Sequence, residues 1–269
     1  MQKNVSLIFS ATLLLLVTAC GKPDASSESG KTEAPMSAPS ESVDYDAIVK
    51  SADRSDEDKE RDASRKPAEA LAFFQIKSGQ TVFEVEAGGG YFTELYSRTV
   101  GPQGAVVMQN FQGFLEFAND EITARLADNR LANVRQSISL HDDLDAEDNS
   151  VDVVTWVQGP HELYYVPEEG VDLGDPAGSF AEIFRILKPG GVFSVIDHAA
   201  ADGAPTSVGN DLHRVDKAHV IDLAKGAGFV LEAESDFLAN PDDDHTALAF
   251  ASTIRGKTDQ FALRFKKPE

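Results

Sequence analysis

The stretch Thr81-Val-Phe-Glu-Val-Glu-Ala-Gly-Gly-Gly-Tyr91 joins a short apolar run to three consecutive glycines and then to a helix-forming segment. A run of this length and composition reads as a buried β-strand over 81–85. Glycines directly after it let a ligand approach the backbone. A helix beginning at Tyr91 presents its unpaired N–H groups to a carboxylate or phosphate. A glycine triplet alone serves a tight structural turn equally well, so the flanking segments decide.

Those segments alternate. Pro67 opens a helix that pairs Leu71 with Phe74. Gly101-Pro-Gln-Gly is a turn before a strand over 105–109. A weak strand is expected over 134–140, a strong one over 151–157 and a helix over 180–187. Lys188-Pro-Gly-Gly stops that helix before a strand over 192–196. A helix over 215–227, capped by Gly228, precedes strands over 229–235 and 261–265. The charged stretch 46–65 is expected to be a surface helix or an irregular lead-in. Strands separated by helices predict an α/β, Rossmann-like architecture with a mostly parallel seven-stranded sheet and a terminal antiparallel hairpin. In such sheets ligands collect at the carboxyl ends of the strands.

The order of these segments resembles the class I S-adenosylmethionine (SAM)-dependent methyltransferases over residues 66–267. The resemblance is carried by Val82-Phe-Glu-Val-Glu-Ala-Gly-Gly-Gly, Gly101-Pro-Gln-Gly-Ala-Val-Val, Asp148-Asn-Ser-Val-Asp-Val-Val and Phe184-Arg-Ile-Leu-Lys-Pro-Gly-Gly-Val. Val195-Ile-Asp-His, Leu212-His-Arg-Val-Asp and Arg255-Gly-Lys-Thr-Asp-Gln-Phe are similar to a group of exported bacterial methyltransferases. The resemblance implies a SAM cofactor and a small-molecule substrate. It places Glu84 where the family acid organises the methionine ammonium, and Gly88, Gly89 and Gly90 against the methionine portion. Two positions depart from the pattern. Glu86 occupies the first glycine position, where a Cβ restricts the turn and a carboxylate opposes the methionine carboxylate. Asn110 replaces the acid that accepts from the ribose hydroxyls, and a neutral acceptor is weaker. Both changes predict weakened SAM binding. Asp142 or Asp143 is expected near the adenine amino group.

His161, Asp197, His198 and His213 fall on the substrate rim of this fold and are the candidate catalytic base or substrate-orienting groups. Tyr164 and Tyr165 could line a substrate pocket, whereas Trp156 suits the core. No His-x-x-x-His spacing is present, so no metal ligand set is assigned. Asp242-Asp-Asp-His reads as an acidic surface loop.

The 269 residues are 42% hydrophobic and 26% charged with one cysteine, which excludes a disordered chain and a disulfide scaffold. A formal net charge of −21 repels phosphate backbones and argues against nucleic acid as a partner. Residues 1–19 read as a signal peptide, and Val17-Thr-Ala-Cys20 resembles the bacterial lipobox. Cys20 is then the lipidated residue, residues 20–43 a flexible tether, and residues 44–269 the methyltransferase-like domain. Membrane contact would run through the lipid anchor alone. With Gly21 rather than Asp after the cysteine, the expected location is the periplasmic side of the outer membrane. Three functions remain open: a SAM-dependent methyltransferase, a catalytically inactive binding or assembly protein of the envelope, and a periplasmic enzyme with another ligand or a metal at His161, Asp197 and His198.

Overall fold

The computed structural model describes residues 43–166 and 173–269. The expected signal peptide, Cys20 and almost all of the tether lie outside the described residues. The elements run α1 (Tyr45–Val49), α2 (Asp56–Arg65), α3 (Pro67–Phe74), β1 (Thr81–Val85), α4 (Tyr91–Val100), β2 (Ala105–Asn110), α5 (Leu115–Leu126), β3 (Val134–Ile138), β4 (Val151–Val157), α6 (Pro176–Ile186), β5 (Leu187–His198), α7 (Val208–Leu212), α8 (Lys217–Ala227), β6 (Val230–Ser235) and β7 (Gln260–Lys266).

The seven strands form one sheet in the order β3-β2-β1-β4-β5-β7-β6. β1 lies parallel to β2 and β4, and β4 parallel to β5. Only β7 is reversed, antiparallel to both β5 and β6, which makes the expected terminal hairpin. The chain passes from β1 to one side of the sheet, then crosses to β4 on the other. The crevice at that switch point is where ligands bind.

Strand alternation divides the core between the two faces. Val82, Val106, Val153 and Val192 point to α3 and α4, whereas Phe83, Val107, Val154 and Phe193 point to α6 and α8. Phe193 packs against Phe180, Phe229 and Phe265 with ring centroids 5.7, 5.4 and 5.8 Å apart. Burying an aromatic side chain this way contributes about 3–5 kcal/mol on truncation to alanine.

Several boundaries differ from the sequence expectation for local reasons. α6 begins at Pro176 rather than at 180, because the Asp175 carboxylate accepts from the Gly178 N–H as an N-cap. α8 begins at Lys217 because Asp216 caps it through the Ala218 N–H, leaving Val215 to bridge Ala199. The Lys-Pro-Gly-Gly segment extends β5 back to Leu187 instead of standing outside it. α5 was not anticipated. The lead-in resolves into two helices, α1 and α2, and the second carries charged side chains to the glycine loop.

Candidate active site

The loop after β1 turns through left-handed conformations at Glu86, Gly88 and Gly90, with φ of 53°, 58° and 82°. A non-glycine residue accepts such a φ at a cost of about 1–2 kcal/mol. Glu86 is held there from both ends. Its N–H donates to Gln109 Oε1 at 2.8 Å, and its Oε2 accepts from Trp156 Nε1 at 3.0 Å. Gly159 makes room for this bond, since a Cβ there would lie 1.8 Å from Trp156 Nε1 and 2.7 Å from Glu86 Oε2. Gly159→Ala is therefore expected to displace the indole and destabilise the fold by about 1–3 kcal/mol, the usual cost of overpacking, measurable by chemical denaturation.

The loop borders a cavity of about 410 Å³, within the range of about 300–1,000 Å³ typical of small-molecule sites. Gly88 and Gly89 form one wall, and Phe114 and Phe117 from the start of α5 form another. Arg61 and Arg65 of α2 and Arg255 of the β6–β7 insertion complete the mouth together with Glu86, Glu162 and His198. The Arg65 guanidinium lies over the Tyr91 ring at 4.7 Å. Among the described residues neither Arg65 nor Arg255 has a carboxylate within ion-pairing distance. Glu121 and Glu162 line the same cavity, so its charge is mixed, with Arg65 and Arg255 as the two guanidiniums left without a carboxylate partner and able to meet an anion.

The positions expected to bind cofactor separate into two groups. Glu86, Gly88 and Gly89 line the cavity. Glu84 is buried behind the loop, accepting a hydrogen bond from the Thr93 hydroxyl, and burial pushes its carboxyl up to about 8. Gly90 packs against Arg125 and Met108. Asn110 is spent on the loop itself: its Oδ1 accepts from the Gly88 N–H at 2.8 Å and its Nδ2 donates to the Gly88 carbonyl at 3.1 Å. Asp142 accepts from the Asp175 N–H at 2.9 Å, and Asp143 is exposed; neither lines the cavity.

Burial also pushes the Glu86 carboxyl up to about 8, aided by the Glu162 charge and opposed by the Trp156 hydrogen bond. Folded chains therefore keep a proton on Glu86 that unfolded chains lose above about 4.5. The consequence is a stability that declines as pH rises from about 4.5 through 8. Glu86→Gln preserves the acceptor for Trp156 and removes this titration. Its unfolding free energy should fall less steeply over that interval, leaving the Glu84 contribution. An identical slope in denaturant titrations at several pH values would rule this out.

The rim joins two of the four candidate catalytic residues, His161 and His213, through the Glu162 carboxylate, which sequence reasoning did not single out, and Asp197 backs His161 from the other side. Pro160–Tyr164 form a single 3-10 turn after β4 and present His161 and Glu162. His161 Nδ1 lies 2.7 Å from Asp197 Oδ1, and its Nε2 lies 3.1 Å from Glu162 Oε1. His213, at the left-handed C-cap of α7, places Nδ1 3.0 Å from the same Glu162 oxygen. Asp197 is fully buried and also accepts from the N–H groups of His161 and His198 at 2.9 and 2.7 Å. His198 turns away from this cluster, with Nδ1 2.7 Å from Thr258 Oγ1.

Burial opposes protonation of His161, yet Asp197 and Glu162 outweigh it and raise its pKa to about 10. The imidazole is charged at neutral pH and is no general base in this state. Burial lowers His198 to about 4, so His198 is neutral and is the histidine lining the cavity. The two tyrosines diverge: Tyr164 bonds His219, whereas Tyr165 stacks beside His213 with centroids 5.2 Å apart. Trp156 sits in the core as expected. The acidic loop lies on the surface at Asp242 and Asp244, which are exposed, but Asp243 is buried in a bidentate pair with Arg214 at 2.9 and 3.1 Å.

Residues 83–195 match the family described as Methyltransferase domain. A SAM-dependent methyltransferase from Aquifex aeolicus is similar with a TM-score of 0.55 at 21% identity, covering 84% of this chain and 100% of that one. The fold is that of the class I methyltransferases. A ubiquinone/menaquinone biosynthesis C-methyltransferase of Idiomarina loihiensis is 24% identical over 190 residues. That match covers 70% of this chain but only 64% of the relative's length. The cyclase SpnF also shares this methyltransferase fold, with a TM-score of 0.54 at 16% identity over 78% of this chain and 80% of that one.

The arginines, Phe114, Phe117, Phe250 and Glu162 were not anticipated from sequence. Glu162 had one available signal, its adjacency to His161. Arg65 and Arg255 stand 190 positions apart in the chain, and no local pattern joins them.

Proposed function

We propose that the protein binds SAM in the glycine-loop cavity and transfers its methyl group to a small molecule held at the His161–Glu162–His213 rim. The observation that carries this reading is the pair of unpaired guanidiniums, Arg65 and Arg255, on the same cavity as the half-buried backbone of Gly88 and Gly89. They suit the methionine carboxylate, while Phe114 and Phe117 offer an apolar surface to the adenosine. Glu162, whose carboxyl is held ionised and lines the same cavity, would stabilise a cationic sulfonium by charge. Bound SAM would supply an electrophilic methyl group. The chain's own residues would orient the acceptor, and neutral His198 could accept a proton from it. Like the Idiomarina loihiensis relative, the protein would act as a methyltransferase.

A second reading is supported by Asn110. Its amide is committed to Gly88, so no side chain there stands ready for the ribose hydroxyls. A ligand-binding envelope protein that retains the fold without methyl transfer fits that arrangement.

Thermal unfolding separates ligand binding from its absence. SAM at 100 times its dissociation constant should stabilise the protein by about 2.7 kcal/mol. For a domain of this size that corresponds to a rise of roughly 5–11 °C. No rise at millimolar SAM would overturn the cofactor assignment. A rise without methylated product across candidate acceptors would support the second reading.

Export completes the proposal: the chain matures at Cys20, carries lipid there and faces the periplasm from the outer membrane. Cys20→Ser should abolish labelling by radioactive palmitate and release the protein from the membrane fraction. Retention of label in that variant would refute the lipobox assignment.

A further inference from the structure

We infer that His161 Nε2, Glu162 Oε1 and His213 Nδ1 form a three-ligand site for a divalent first-row transition-metal ion at the rim of the glycine-loop cavity. The three atoms lie within 4.8 Å of one another, and both imidazole nitrogens approach the same carboxylate oxygen, at 3.1 and 3.0 Å. Ligands about 2.1 Å from an ion and at right angles to one another stand about 3.0 Å apart. The two measured edges match that spacing before any metal is added.

Asp197 strengthens the case. Its Oδ1 sits 2.7 Å from His161 Nδ1, and the carboxylate is fixed further by the N–H groups of His161 and His198. A histidine whose second nitrogen is bonded to a buried carboxylate has its other nitrogen aimed and made more basic, the usual support for a metal-bound imidazole, and an ion seated at Nε2 displaces the proton held there in its absence. His213 is similarly constrained. It holds φ 49° and ψ 54° at the end of α7, and the rings of Tyr165 and Phe250 flank it at 5.2 and 4.8 Å. This conformation costs a non-glycine residue about 1–2 kcal/mol, and here it directs the ring toward Glu162.

Two histidines and one carboxylate leave coordination positions open. Glu162 also lines the cavity, so those positions lie on the side where the acceptor is proposed to sit. The acceptor class that fits is one bearing an oxygen donor, such as a hydroxyl or carboxylate. That last step rests on the methyl-transfer reading; the ion site does not. Without a cation, the two imidazoles engage Glu162 only through hydrogen bonds, and a purely internal hydrogen-bond network is the alternative outcome.

The full chain, stripped with a chelator, is titrated with Zn²⁺ by calorimetry and with Co²⁺ by visible absorption. The expected result is one equivalent bound at micromolar concentration, with ligand-field bands from Co²⁺. Glu162→Gln and His213→Gln should each weaken binding by roughly 100-fold or more, since even losing a supporting partner costs 10–100-fold. His245→Ala, which removes a histidine paired with Asp259 outside the cluster, should bind as the unaltered chain does. Circular dichroism melts confirm that the variants are folded. Absence of a stoichiometric site, or equal affinity in Glu162→Gln and His213→Gln, would overturn the inference and leave the hydrogen-bond network. Because Zn²⁺ and SAM are titrated separately, failure of one assignment is distinguishable from failure of the other.

Discussion

Asp197→Ala is expected to lower the stability of the folded protein by about 3–5 kcal/mol, the cost of leaving a buried charge without its partner. Asp197 is fully buried, and three donors converge on it: His161 Nδ1 and the N–H groups of His161 and His198. Alanine leaves all three unsatisfied inside the protein, where each unmet group costs about 1–3 kcal/mol. Thermal unfolding should shift downward by roughly 6–20 °C. An exposed pair supplies the contrast. Arg135 and Asp145 are 48% and 70% exposed, and Asp145→Ala should change stability by about 1 kcal/mol or less. A melting temperature for Asp197→Ala within two degrees or so of the unaltered chain would show that the pair is not buried as described.

Arg214→Ala should cost a similar amount, about 3–5 kcal/mol, and should also open the cavity. The guanidinium is fully buried and pairs bidentately with Asp243, while donating to the carbonyls of Ala199 and Ala247 at 2.9 Å. It ties the insertion between β6 and β7 to the end of β5. The same insertion brings Phe250 and Arg255 to the cavity and Thr258 to His198. Loss of the tie should expose residues 236–259 to limited proteolysis and weaken any ligand held there. Arg214→Lys restores charge but not the planar two-point contact, so it should recover only part of the stability. Proteolytic resistance equal to that of the unaltered chain would contradict this account of the insertion.

The central strands were legible because both their faces are buried. Such strands read as continuous apolar runs, as in Thr81–Val85 and Val151–Val157. α5 was hidden for the converse reason. It buries Ala118, Ile122 and Arg125, so a single large apolar residue marks its inner face and no stripe emerges. α2 likewise buries Asp58, whose carboxylate pairs with Arg125 at 2.7 Å across 67 positions of chain. Charge patterning cannot show such a contact until both helices are placed. The glycine loop was readable from composition, but the role of Asn110 was not, because its amide answers the Gly88 backbone rather than the cavity. His161 and His213 were expected on one rim and do converge, on a Glu162 to which the sequence reading gave no role, with Asp197 backing His161 from the other side.

Calorimetric titration of S-adenosylhomocysteine into the full chain and into Arg65→Ala tests the cofactor assignment most directly. Micromolar binding to the unaltered protein, weakened about tenfold or more by loss of one charge-assisted contact, is the predicted result. No heat at millimolar ligand, or undiminished affinity in Arg65→Ala, would contradict the assignment of this cavity to the methionine end of SAM.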